Sequence, residues 1–184
     1  MARTVRAALP RNRYRHVLGV ARTAERLARR YGQEPRKARM AAMLHDIARM
    51  WSDEQLFDYM RLHKLPVTQA EREAPALLHA RIGAHIAREQ FGIDDPLVLL
   101  AIERHTVAVP CMSDLEKILY IADTIEPSRG FAAQVQLAAQ ADRSLDEGML
   151  ACIKSSMEYL QSKGIAIAPE TRAVERELLR RGEA

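Results

Sequence analysis

Apolar residues recur along this chain at three- and four-residue steps almost throughout, with little strand-like alternation, and that period predicts an all-α fold. Residues that start and stop helices divide the pattern. Asn12 can cap a first helix whose stripe is Val17, Ala21, Ala24, Leu27, Ala28 and Tyr31, with Gly32 closing it. Pro35, at a first-turn position, opens a second helix through Ala38, Ala41, Ala42, Leu44 and His45 to about Met50. Ser52 and Gln55 are spaced as a capping box for a short third helix bearing Leu56, Phe57 and Met60. After a turn at Leu65 and Pro66, a fourth helix is expected from about Pro75 to Phe91, stopped by Gly92, and a fifth capped by Asp94 and carrying Ile102 and His105. Val109 and Pro110 break the chain. Ser113 and Glu116 form a second capping box, before a helix with Leu115, Ile118, Leu119, Ala122 and Ile125 that Pro127 ends. Ser144 and Glu147 form a third, opening a helix to about Lys163 with Gly164 beyond it. Ile165 to Pro169 reads as an extended link to a last helix near 171–181.

The chain's 184 residues, 48% hydrophobic and 28% charged, suit one globular domain. Residues 1–11 read as an N-terminal extension and 12–184 as the helical bundle. No run approaches the roughly 18 uncharged apolar residues of a membrane span, and the apolar part of MARTVRAALPRNR is too short for a signal-peptide core. Cys111 and Cys152 lack CxxC spacing and read as core or loop thiols of a reducing cytoplasm. The formal charge of +4 is split along the chain: residues 1–49 hold 13 basic residues against 3 acidic, and residues 50–184 hold 15 against 21. Of the 28 basic residues 23 are arginine, which favours bidentate contact with carboxylate or phosphate. Arg22, Arg26, Arg29 and Arg30 carry no interleaved aromatics, so they read as a solvated helix face and no nucleic-acid partner is expected.

The chemistry concentrates where polar residues interrupt apolar helix faces. His45 and Asp46 adjoin in AAMLHDIAR, where burying a lone carboxylate costs several kcal/mol and a cation removes the conflict. His16 faces the stripe of the first helix, and Asp123 sits in LEKILYIADTIEP among apolar neighbours. Two His and two Asp from three helices can form a mixed nitrogen and oxygen site for iron, manganese or zinc with positions left open. His79 and His105 each end or interrupt an apolar helical stretch and fit either a core, capping role or a ligand role. His85 lies six residues past His79, about 240° around a helix, and with His63 is expected to be structural or at the surface.

The order His16, His45 and Asp46, His79, His105, Asp123 resembles the HD-domain metal-dependent phosphohydrolases. The closer likeness is to the YqeK-like symmetrical bis(5'-nucleosyl)-tetraphosphatases, which hydrolyse diadenosine tetraphosphate to two ADP. The matching stretches are RYRHVLGVA, AAMLHDIAR, LLHARIGA, AIERHT, MSDLEKILYIADTIEPSRGF and IAIAPETRA, reaching from about residue 12 to 175. The resemblance implies a single-domain HD-domain helical bundle in the cytoplasm, acting on a dinucleoside polyphosphate. It implies one iron, or another divalent metal such as manganese, on His16, His45, Asp46 and Asp123. His79 and His105 would point at substrate phosphate and, with Asp46, carry the catalysis. Arg13, Arg49 and Arg129 would contact the nucleotide, with Ala166, Ile167, Ala168, Pro169, Glu170 and Thr171 near base and ribose. The chain departs from the family pattern at Arg49, where lysine is common, after His105 in TVAVPCM, and after Phe131 in AAQVQLAAQ.

Two other classes remain open on the residues: a different HD nucleotide phosphohydrolase, acting on a nucleotide, dNTP or guanosine polyphosphate, and a catalytically silent nucleotide-binding module. Met and Leu on the third helix could serve a homodimer.

Overall fold

The computed structural model describes residues 1–182; the last two residues of the predicted bundle lie outside the described residues. Eleven α-helices occupy them: α1 Ala2–Ala8, α2 Arg11–Arg30, α3 Pro35–Leu44, α4 Asp53–Leu62, α5 Gln69–Glu73, α6 Leu78–Phe91, α7 Pro96–Glu103, α8 Asp114–Thr124, α9 Gln134–Arg143, α10 Leu145–Ser162 and α11 Pro169–Gly182. Short 3-10 turns at Pro75–Leu77 and Pro127–Arg129 precede α6 and follow α8.

Local chemistry accounts for most boundaries. The capping boxes of Ser52 with Gln55 and Ser113 with Glu116 are both complete, and Ser144 accepts from the Glu147 N–H as expected. Gly32, Gly92 and Gly164 adopt positive φ at the helix ends where stops are expected. Other boundaries shift. Pro10, not Asn12, stands at the N-cap of α2, and the Asn12 side chain instead accepts from the Arg13 N–H. Asp95, not Asp94, caps α7, its carboxylate accepting from the Leu97 and Val98 N–H groups. Pro169 is the first residue of α11 and not the end of an extended link, because its fixed φ already suits a helix's first turn.

Three elements escape the apolar pattern. The supposed extension folds as α1 and buries Val5 and Leu9 against the core. Helix α5 carries its own capping box, Thr68 with Glu71, but is too short for periodicity to register. Helix α9 buries only Leu137 and Ala141. It pairs closely with α10 because Gly148 has no side chain: a Cβ there would lie 2.5 Å from the Ala141 Cα.

The centre of the fold is α2 laid along α3 and α8, with α6 and α7 closing the other side against α3 and α8. Leu27, Leu44, Leu78, Ile82, Ile102, Ile118 and Ile121 are fully buried between them, each contributing roughly 1.5–3 kcal/mol relative to exposure. Helix α10 packs on α8, and α9 and α11 pack on α10. Leu56 and Met60 of α4 belong to the core, while Leu62 of that helix is exposed. The polar site lies inside the central layer, where α2, α3, α6, α7 and α8 converge.

Candidate metal and phosphate site

The helical period of α3 does not continue to Met50. It stops at Leu44, and residues 45–50 form successive tight turns in which the N–H groups of Ile47, Arg49 and Trp51 donate to the carbonyls of Leu44, Asp46 and Ala48. Neighbouring residues of an α-helix point about 100° apart. The tighter turns let His45 and Asp46 serve one site, with the His45 Nε2 3.4 Å from the Asp46 Oδ2. His45 is fully buried and Asp46 4% exposed.

Three histidines repeat one device. In His45, His79 and His105 the Nδ1–H donates to the carbonyl oxygen three residues earlier, that of Ala42 at 2.7 Å, of Ala76, and of Ile102 at 2.7 Å. His45 and His105 follow the ends of α3 and α7, where such carbonyls are available, and His79 opens α6 just after the 3-10 turn that holds Ala76. His16 lies within α2, where the carbonyls are engaged in the helix, and its Nδ1–H donates instead to the Glu126 Oε2 at 3.0 Å.

In all four, Nδ1 donates outward and Nε2 turns inward, where it is a lone pair whenever the ring is neutral. The inward atoms crowd together. The His16 Nε2 lies 2.9 Å from the Asp123 Oδ1, the His45 Nε2 3.7 Å from the same oxygen, and the His79 Nε2 3.3 Å from the Asp46 Oδ1. The His79 and His105 Nε2 atoms are 3.1 Å apart. The His45 Nε2 is buried without a hydrogen-bond partner. Four acceptors and two carboxylates facing one another repel unless positive charge lies between them.

The titration of these groups expresses the same demand. Burial opposes charge on His45, but Asp46 and Asp123 outweigh it and raise its pKa to about 10. Burial would raise Asp46 and Asp123, yet His45 in the first case and His16 and His45 in the second hold both well below the usual carboxylate range. His105, buried and beside His45 and His79, is pushed down to about 3. A divalent cation satisfies this set, which is nitrogen and oxygen only and so suits iron, manganese or zinc over metals that seek thiolate. Among the described residues, two overlapping groups have the spacing to hold one: His16, His45 and Asp123, and His45, Asp46 and His105.

Two arginines complete the site. The Arg13 Nη1 donates to the Asp46 Oδ2 at 3.0 Å, and the Arg129 Nη2 to the Asp123 Oδ1 at 2.5 Å. Arg49 is exposed on the turn past Asp46 and, among the described residues, forms no ion pair. The segment from Ala166 to Thr171 stands farther off. Ile167 packs on the core, and the Thr171 hydroxyl donates to the Ala108 carbonyl at 3.4 Å, so it borders the loop beyond His105. The His85 Nδ1 and the Tyr59 hydroxyl share a 2.9 Å hydrogen bond, and His63 packs on the Tyr59 ring, away from the cluster. Cys111 is exposed and Cys152 buried, both free.

Glu126 and Gly19 are residues that the apolar pattern alone does not single out. Glu126 is 4% exposed, and the Ser128 hydroxyl donates to the same oxygen that His16 uses. Burial acts to raise its pKa, but those two hydrogen bonds prevail and lower it. Its signal in the sequence is a second acid three residues after Asp123 in an apolar run.

The chain is similar to known proteins in sequence and fold. A family model described as HD domain matches residues 13–128. The chain is similar to the "Bis(5'-nucleosyl)-tetraphosphatase, symmetrical" of Bacillus subtilis, 35% identical over 91% of this chain and 89% of that one. It is similar to the protein of the same name from Halalkalibacterium halodurans, 37% identical over 95% and 93%. Among solved structures it resembles, with TM-score 0.92 and 35% identity over 98% of this chain and 95% of the other, a "predicted HD superfamily hydrolase involved in NAD metabolism" from Clostridium acetobutylicum.

Proposed function

The chain belongs to the HD-domain family, and on that premise we propose that it hydrolyses diadenosine tetraphosphate symmetrically to two ADP. It is a metal-dependent phosphoanhydride hydrolase. The observation that carries this reading is the convergence of four inward Nε2 lone pairs on two carboxylates, with the His45 Nε2 orphaned. Such a centre is built around a cation, and the arginines at its edge fit a polyanionic substrate.

His16, His45, Asp46 and Asp123 are assigned to hold the metal, iron or a divalent ion such as manganese. When bound, it supplies Lewis acidity that lowers the pKa of water and draws charge from a phosphoryl oxygen. His79 and His105, each tied to a backbone carbonyl, keep their Nε2 atoms aimed at the reacting phosphates. Arg13 and Arg129 already point their guanidinium groups at the two carboxylates, so the polyphosphate chain meets them as it enters. Arg49, exposed beside Asp46, holds the outer phosphates, and 166–171 lies toward base and ribose.

In the reaction a water oxygen bonds to one inner phosphorus. The bond from that phosphorus to the central bridging oxygen breaks, and the bridging oxygen leaves with the second ADP. Asp46 faces both His79 and His105, at 3.3 and 3.9 Å, and is the carboxylate assigned to accept the water's proton. The free thiols Cys111 and Cys152 agree with a cytoplasmic location.

The test supplies purified protein with diadenosine tetraphosphate and iron or manganese and separates the nucleotides. Two ADP per substrate are expected. ATP plus AMP, or tight ADP binding without turnover under several metals, overturns the reading. A His45→Ala variant with full activity and full metal content removes the site assignment.

A further inference from the structure

We infer that Glu126 is a positioning residue that fixes the ring of His16 for the metal, and that Gly19 exists in α2 to admit it. The inference rests on the reading above that His16 holds the cation. His45 and His105, just past the ends of α3 and α7, and His79, at the start of α6, fix their rings on the backbone carbonyls three residues earlier. His16 sits inside a helix of 20 residues, where carbonyls accept from the N–H four residues on, so a side chain must take its Nδ1–H. Glu126 does so from the turn after α8, 110 residues away in sequence, at 3.0 Å. The Ser128 hydroxyl donates to the same oxygen and orients the carboxylate. With Nδ1–H committed, Nε2 is left bare beside Asp123. A ligating histidine oriented by a carboxylate on its other nitrogen is a more basic and better-aimed donor.

Gly19 supplies the space. A Cβ there would overlap the Glu126 Oε1 and lie 2.6 Å from its Cδ and 2.8 Å from its Cγ. No other residue allows the carboxylate against α2 at this place. A glycine in a helix interior weakens the helix, and the approach of Glu126 accounts for it.

The experiment measures manganese affinity of the full chain by calorimetry for wild type, E126A, E126Q, G19A and the double variant. Metal-free circular dichroism and thermal unfolding confirm that each is folded. E126A is expected to bind about 10–100-fold more weakly, as for other outer partners of metal-bound histidines. E126Q, whose side-chain oxygen still accepts from Nδ1–H, is expected to recover most of that affinity. G19A touches no ligand yet is expected to match E126A, and the double variant to be no worse than E126A, since no carboxylate then remains to displace. Equal affinity of wild type and E126A, or additive losses in the double variant, overturns the inference. A long-range proton–nitrogen spectrum of zinc-loaded wild type is independent of any variant: a proton on the His16 Nδ1 is expected, and a bare Nδ1 overturns it. Wild type that takes up no metal overturns the site reading itself. Wild type that binds while E126A binds equally overturns this inference alone.

Discussion

Buried carboxylates in this molecule follow two rules. In the first turns of α5 and α8 each is answered by donors of its own. Glu71 accepts from the Thr68 N–H at 2.8 Å, the Thr68 hydroxyl at 2.9 Å and Arg81 at 2.9 Å. Glu116 accepts from the Ser113 N–H and hydroxyl, both at 2.7 Å, and from Arg104 at 3.1 Å. In the central cluster Asp46 and Asp123 face imidazole lone pairs, with one arginine each at the rim. The first arrangement is complete as folded and serves stability. The second is complete only with an added positive charge, and that incompleteness separates a functional site from a structural one.

Substitutions break the comparison from opposite sides. The largest expected effect is that of Asp46→Asn, which removes a charge from the incomplete site: hydrolysis should fall at least about 10²–10³-fold, while the metal-free variant remains folded by circular dichroism. A D46N variant that is inactive because it is unfolded would place Asp46 with Glu71 instead. Next is removal of metal. Chelation should lower the stability measured at metal concentrations 100-fold above Kd by about 2.7 kcal/mol, restored on adding manganese and absent in Asp46→Asn.

Glu71→Gln acts the other way, with activity retained and a stability loss of about 1–3 kcal/mol from donors left partly unanswered, read in urea unfolding. Its pH dependence has a definite sign. Burial would raise the Glu71 pKa, but hydrogen bonds from Thr68 and Arg81 lower it below 4.5. Its contribution is therefore fully present above about pH 4.5 and lost as pH falls through the lowered value, so the variant should show a shallower acid limb. A limb unchanged in Glu71→Gln would assign acid sensitivity to other carboxylates. The smallest effect is that of Ser113→Ala, which removes a cap and one donor to Glu116: about 1 kcal/mol, or roughly 2–4 °C for a chain of this size, without change in turnover.

What the sequence reveals depends on the range of the interaction. Ser52 with Gln55 and Ser113 with Glu116 are legible because a cap is a contact between residues three apart, and the apolar stripe of α2 because its period repeats along the whole helix. His16, His45, Asp46 and Asp123 stand out as polar residues on apolar faces. The end of α3 at Leu44 is not legible, since apolar spacing continues through Ile47 and Ala48 while the hydrogen bonds tighten. Gly19 is opaque for another reason: what requires it is a residue 107 positions later, and only folding brings the two together.

The carbonyl anchors of His45, His79 and His105 have a consequence for how such a centre diverges. A main-chain oxygen is carried by every amino acid, so no point substitution at Ala42, Ala76 or Ile102 deletes the acceptor. The three corners held this way are shielded from drift in their surroundings. Among the four histidines, the corner at His16 is the one whose anchor is a side chain, and there the setting of a ring is open to heritable variation.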